Sequence, residues 1–224
     1  MSKIGWGYGS EYQLLRYLGH HRNYLDREIK NVTGSDSPIQ WLDYPVNIKS
    51  KSLDGELKNI ECFKDEPFYE SLRSKWKTFW PQTGNSHNWD GIFIQDGIWY
   101  FVEAKAHTGE AHQRCSAKEY GGKPRILQAF IPTCEGNKTL AKQWLESDCY
   151  QLANRLAFIH FCKTNGINAK LCLISFLNGN KRSRKEVHNT ETWDKVWEEE
   201  YSTLSLTKTQ RDDILRVYIE CNNG

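Results

Sequence analysis

Asp90, Glu103 and Lys105 flank two apolar runs that read as the arms of one β-hairpin. Residues 91–95 and 98–104 are rich in β-branched and aromatic side chains, and Asp96-Gly97 between them suits a two-residue type I′ turn. Pairing Gln95 with Ile98 and counting outward places Asp90 opposite Glu103, with Cβ atoms roughly 4.5–5.5 Å apart. Two carboxylates so close oppose folding unless something offsets them, and a divalent cation would. Lys105 lies two residues beyond Glu103, so the strand period sends its ammonium to the same face. Two acids and one base around a hard cation such as Mg²⁺ or Mn²⁺ can make a bound water nucleophilic and neutralise charge on a phosphate. The lysine can steady that water or the charge that develops.

The bland alternative has Asp90 capping a strand while Glu103 and Lys105 pair as edge charges. Residues 98–104 are apolar on both faces, however, which is the pattern of a central strand covered from both sides. Charges at the end of such a strand need a reason.

The surrounding pattern supplies elements to hold this hairpin. Ser10 and Gln13 make a capping-box pair before an apolar stripe, which predicts a helix over 11–21 opened by Glu11. Residues 39–48 alternate over part of their length and predict a strand, weakened by Pro45. A second strand is expected at 57–63, and the two suit a hairpin of their own. Residues 67–79 have helical spacing, with Pro67 suited to a first turn. Residues 149–163 predict an amphipathic helix ended by Asn165-Gly166, its polar face carrying Gln151, Asn154 and Arg155; a strand at 169–177 follows. A further helix is expected near Glu191, and residues 207–221 fit helix or strand.

The hairpin with Asp90 and Glu103-Ala104-Lys105 resembles the signature of the PD-(D/E)xK nuclease superfamily, which includes many restriction endonucleases. The resemblance covers about one tenth of the chain directly, and Trp89 stands where the name-giving proline would be. It implies an α/β (α+β) fold with a restriction endonuclease-like core: a central mixed sheet of four or more strands flanked by helices, in the order α-β-β-β-α-β. It implies that Asp90, Glu103 and the backbone carbonyl of Ala104 hold the metal, that Lys105 orients or activates water, that Glu11 adds a third carboxylate, and that Gln151 assists. For Glu11 the alternative is an acid favoured in a first turn by the helix dipole; for Gln151 it is an ordinary polar helix face.

Residues 106–148 have no counterpart in that signature and are expected to form a lid or insertion. Arg114, Lys118, Lys123 and Arg125 surround Tyr120-Gly121-Gly122 there, a composition suited to a phosphate-contacting loop or to a solvated surface loop. Lys181, Arg182, Arg184 and Lys185 form a second basic run that could track a phosphate backbone.

At 224 residues with 38% hydrophobic and 13% aromatic content, the chain reads as a single domain, 1–224, able to bury a core without disulfides. Nine tryptophans are read as packing residues. Seven scattered cysteines without Cys-x-x-Cys spacing, and no signal-like or long apolar stretch, point to a reducing, cytoplasmic setting and no membrane. His107, His112 and Cys115 lack a fourth ligand at recognisable spacing, so zinc is not expected. A formal charge of +2 does not by itself define a nucleic-acid-binding protein; the distribution of charge does. The function expected is metal-dependent hydrolysis of phosphodiester bonds in nucleic acid, DNA ahead of RNA, with a homodimer compatible. The alternative is a silent nuclease-fold module that binds nucleic acid or a protein partner.

Overall fold

The structure is a computed structural model that describes residues 9–42, 57–83, 87–180 and 186–221. Five strands form the central sheet in the order β1 (Gln40–Trp41), β4 (Gly91–Gln95), β5 (Ile98–Lys105), β6 (Ala169–Leu177), β7 (Ile214–Glu220). β4 runs antiparallel to both β1 and β5, while β6 lies parallel to β5 and β7 parallel to β6. A short second sheet pairs β2 (Leu57–Lys58) with β3 (Asn88–Trp89). Residues 39–48 and 57–63 therefore do not form a hairpin together: β1 joins β4, β2 joins β3, and Glu61–Phe63 is a 3₁₀ turn. Residues 43–50, including Pro45, lie outside the described residues.

The β4–β5 hairpin closes as its turn chemistry demands. Asp96 and Gly97 both take positive φ, 52° and 72°, and Gln95 pairs with Ile98. Strand β5 is central and its side chains alternate between two cores. Phe101 joins one with Ile92, Leu171 and Leu173; Tyr100, Val102 and Ala104 join the other with Phe93, Cys172 and Ile174. By the same period Glu103 and Lys105 face the first core.

That first face is covered by α3 (Tyr69–Phe79), α4 (Gly122–Thr133), α5 (Lys138–Glu146), α6 (Tyr150–Thr164) and α7 (Thr190–Thr203). The other is covered by α1 (Ser10–His20) and α2 (Arg22–Thr33), through Leu14, Tyr17, Leu25 and Ile29. The result is a mixed α/β fold with helices on both sides of a five-stranded sheet. Helix α6 carries much of the packing: Leu152, Leu156, Phe158, Ile159 and Phe161 are all buried, each contributing about 1.5–3 kcal/mol by leaving water. It stops at Asn165, where Gly166 takes φ 80°.

Ser10 is not an N-cap. Helix α1 is capped by Gly9 without a side-chain bond, and Gln13 instead sends its Nε2 to the Gly179 carbonyl at 3.0 Å, tying the helix to the end of β6. Residues 106–148 do not remain a loop throughout. After a loop they fold into α4 and α5, whose Ile126, Phe130, Ala141 and Trp144 belong to the main core. The final segment is both elements in turn, a helix α8 (Lys208–Asp212) with a Thr207/Gln210 capping box and then β7.

Candidate active site

The ladder between β4 and β5 runs regularly from Gln95 opposite Ile98 to Gly91 opposite Val102. It breaks at Asp90, whose N–H reaches the Val102 carbonyl at 3.2 Å, the carbonyl that already faces Gly91. Two residues opposing one is a β-bulge, a device that re-aims a side chain at the end of a strand. Asp90 therefore does not sit squarely opposite Glu103 as simple counting implies. Its Oδ2 accepts the Ala104 N–H at 2.7 Å. The N–H and C=O of one strand residue point to the same side, so the Ala104 carbonyl faces the Asp90 edge as well.

Glu103 is buried, and both of its oxygens accept hydrogen bonds. Its Oε1 accepts from Lys105 Nζ and from Gln151 Nε2, the latter at 2.8 Å, and its Oε2 accepts from Arg155 Nε at 2.7 Å. Gln151 and Arg155 stand four residues apart on α6, hence on one face of the helix. The Arg155 guanidinium also donates to the Asn88 carbonyl at 2.9 Å and lies over the Trp89 ring at 4.6 Å. Gln151 thus bonds the Glu103 carboxylate. Arg155, read from sequence only as part of a polar face, is the residue that binds α6, β3 and β5 into one unit.

The electrostatics follow from this wiring. Burial pushes Asp90 up, the Glu103 charge adds to it, and Lys105, the Ala104 N–H and Arg155 only partly oppose them, leaving the carboxyl at about 7. For Glu103 burial acts upward too, but Arg155 and Lys105 outweigh it and hold the group below its ordinary value. Burial disfavours the Lys105 ammonium, yet Glu103 and Asp90 more than offset that and raise its pKa. The trio is two acids pushed apart in acidity with a firmly cationic lysine.

The residues present suit a hard divalent cation in donor type and charge. Asp90 and Glu103 offer carboxylate oxygens and Ala104 a backbone carbonyl, the oxygen donors that such an ion takes. The raised Asp90 carboxyl marks the point where positive charge is wanting. Asp90 and Glu103, with the Ala104 carbonyl, would hold the ion.

A cleft of about 670 Å³ opens beside this centre, lined by Gln151, Arg155, Tyr150, Trp80, Arg114 and Lys118 among others. Asp90, Glu103 and Lys105 do not line it; Gln151 and Arg155 form the wall between. His87 also lines it, held neutral because burial and Arg155 drop its pKa to about 3. Of the four basic residues around Tyr120, Arg114 and Lys118 face the cleft, whereas Lys123 pairs with Glu119 and Arg125 donates to the Lys77 carbonyl at 2.8 Å. Glu11 opens α1 on the opposite side of the sheet from Glu103 and Lys105, at the end where Gly9 N–H meets Gly179. Lys181, Arg182, Arg184 and Lys185 lie outside the described residues, but their flanks Asn180 and Glu186 are joined at 2.9 Å, and Glu186 bridges His107 just beyond Lys105.

Glu200 was not foreseen as part of this region. It stands beside Glu198 and Glu199, yet it is 1% exposed and burial, foremost, pushes it to about 8. The signal was there: Trp193, Val196, Trp197, Tyr201 and Leu204 fall at helical spacing, and Glu200 lies within that stripe. Among the described residues, His112 gathers with Cys149 and Glu200, not with His107 and Cys115. All seven cysteines are free thiols, and no described helix is long and apolar enough to cross a membrane.

Comparison of the chain with protein-family models, with curated proteins and with solved structures finds no match.

Proposed function

We propose that the protein is a metal-dependent nuclease of the PD-(D/E)xK type, hydrolysing phosphodiester bonds in nucleic acid, DNA ahead of RNA. The observation that carries this reading is the bulge at Asp90, which joins its carboxylate to Ala104 between Glu103 and Lys105 on a covered central strand. Further support comes from the order of elements: α1, then the antiparallel β1, β4 and β5, then α6 and the parallel β6.

When bound at Asp90 and Glu103, Mg²⁺ or Mn²⁺ supplies charge neutralisation at the phosphate and a more acidic water. Lys105, cationic and held by Glu103, orients the attacking water and stabilises charge on the scissile phosphate. Glu103 in turn fixes the ammonium, and Arg155 with Gln151 fixes Glu103. Asp90, which a bound cation would keep ionised, would serve with Glu103 to hold that cation and through it the water. Arg114 and Lys118 in the cleft, with the basic run at 181–185, track the phosphate backbone.

A second reading, a binding module without chemistry, is favoured by one observation: both oxygens of Glu103 are already taken by internal donors. The two separate on incubation with plasmid DNA, single-stranded DNA and structured RNA in Mg²⁺ or Mn²⁺. Cutting by the native protein and none by Lys105→Met is the nuclease result. Binding without cutting on every substrate is the module.

A further inference from the structure

We infer that His112 Nδ1, Cys149 Sγ and Glu200 Oε1 form a second and softer metal site, suited to a zinc-type ion and separate from the Asp90–Glu103 pair. The three atoms lie within 4.8 Å of one another. They come from three elements: the loop after β5, the residue that precedes α6, and the last turn of α7.

The backbone holds two of the three together without help from their side chains. Gln113 and Cys149 form an isolated bridge, with Gln113 N–H donating to the Asp148 carbonyl at 2.6 Å and Tyr150 N–H to the Gln113 carbonyl at 3.1 Å. His112 is thereby fixed beside Cys149. Helix α7 brings the third ligand, anchored by Trp193 and Trp197, whose indoles bond the Phe176 carbonyl and the Ser175 hydroxyl of β6.

Glu200 Oε1 points into this cluster buried and with no hydrogen-bond partner. The nearest nitrogen, His112 Nδ1, is 3.9 Å away, beyond hydrogen-bond reach. Buried carboxylate oxygens are ordinarily satisfied, and a bound cation satisfies this one. One imidazole, one thiolate and one carboxylate form a donor set that Zn²⁺ takes at about 2.0–2.3 Å, and three protein ligands leave a fourth position open. With Cys149 and Glu200 buried and the His112 side chain 43% exposed, that position faces solvent on the histidine side. The oxygen-only pair at Asp90 and Glu103 prefers harder ions, so the two sites select differently. On binding, the Cys149 thiol, which now points to Asp148 Oδ1 at 3.7 Å, releases its proton to solvent as sulfur bonds the metal.

The test is a Co²⁺ titration of the full-length, metal-free protein in excess Mg²⁺, followed by absorbance. The expected result is one equivalent of Co²⁺ with a thiolate-to-metal band in the near ultraviolet and the visible bands of four-coordination, both erased by Zn²⁺. Cys149→Ser removes the thiolate band. His112→Ala, a substitution at an exposed side chain that leaves the fold intact by circular dichroism, weakens binding by roughly 100-fold. Asp90→Asn keeps the signal. No thiolate band with the folded native protein, an unchanged titration in His112→Ala, or loss of the band in Asp90→Asn would each overturn the site.

Discussion

Asp90 Oδ2 accepts the Ala104 N–H at 2.7 Å because a bulge turns the aspartate out of the ladder, so the carboxylate caps the central strand at the residue between Glu103 and Lys105. One hydrogen bond thus sets the distance between the two acids and orients the intervening carbonyl. The arrangement costs stability: it keeps a partly buried acid beside a second, ionised one. Local strain or repulsion retained in a fold is a feature of functional sites.

The repulsion makes stability depend on pH with a definite sign. Asp90 rises from an ordinary 3.8 to about 7 in the native state. Below the ordinary value both native and unfolded chains are protonated there and nothing is lost. Above it the unfolded chain ionises freely while the native state resists, so this contribution is lost as pH rises through about 7. Asp90→Asn, which can still accept the Ala104 N–H, should match the native protein in urea at pH 4 and exceed it at pH 8 with chelator present. A difference of the same size at both values would sink the account. Saturating Mn²⁺ should stabilise the native protein at pH 8 and leave Asp90→Asn unchanged.

Glu103 behaves in the opposite way. Its removal leaves Lys105 and Arg155 buried without their shared counter-charge, and breaking a buried ion network in this manner costs about 3–5 kcal/mol. Glu103→Ala should therefore unfold at markedly lower urea than either native protein or Asp90→Asn. Replacing Glu103, Lys105 and Arg155 together with Leu, Met and Leu should recover much of the loss. Failure of the triple variant to recover would mean that packing, not charge, sets the cost.

Much of this was legible in the sequence, for reasons that are local. Asp96-Gly97 fixed the hairpin, the strand expected at 169–177 matched β6, and the stripe at 149–163 matched α6 to within a residue. What escaped depends on distant partners. Gln13 resembled a capping residue but bonds Gly179, 166 positions away. Arg155 resembled solvated polarity until Glu103 and the Asn88 carbonyl met it across the fold. The polar start of 106–148 hid α4 and α5, whose apolar positions only acquire a core once α6 lies beneath them.

Lys105 should matter for rate far more than for binding. Lys105→Met keeps the length of the side chain and loses its charge, leaving Glu103 to Arg155 and Gln151. Loss of a group that stabilises developing charge reduces turnover by about 10²–10³. Cleavage should fall by that factor while affinity for an uncut oligonucleotide in Ca²⁺ changes less than about tenfold. Equal loss of binding and cleavage would assign Lys105 to substrate contact alone.

The cleft offers a test that does not depend on turnover. Arg114 and Lys118 line it within reach of Trp80 and Tyr150, whereas Lys123 and Arg125 are committed to Glu119 and the Lys77 carbonyl. Each phosphate contact made by a basic side chain contributes about 0.9 to the slope of log affinity against log salt on duplex DNA. Arg114→Ala with Lys118→Ala should lower that slope by about 2, and Lys123→Ala with Arg125→Ala should leave it nearly unchanged. Fluorescence anisotropy with a labelled duplex between low and moderate salt reads both. The reverse result would move the nucleic-acid path from the cleft to the outer edge of α4.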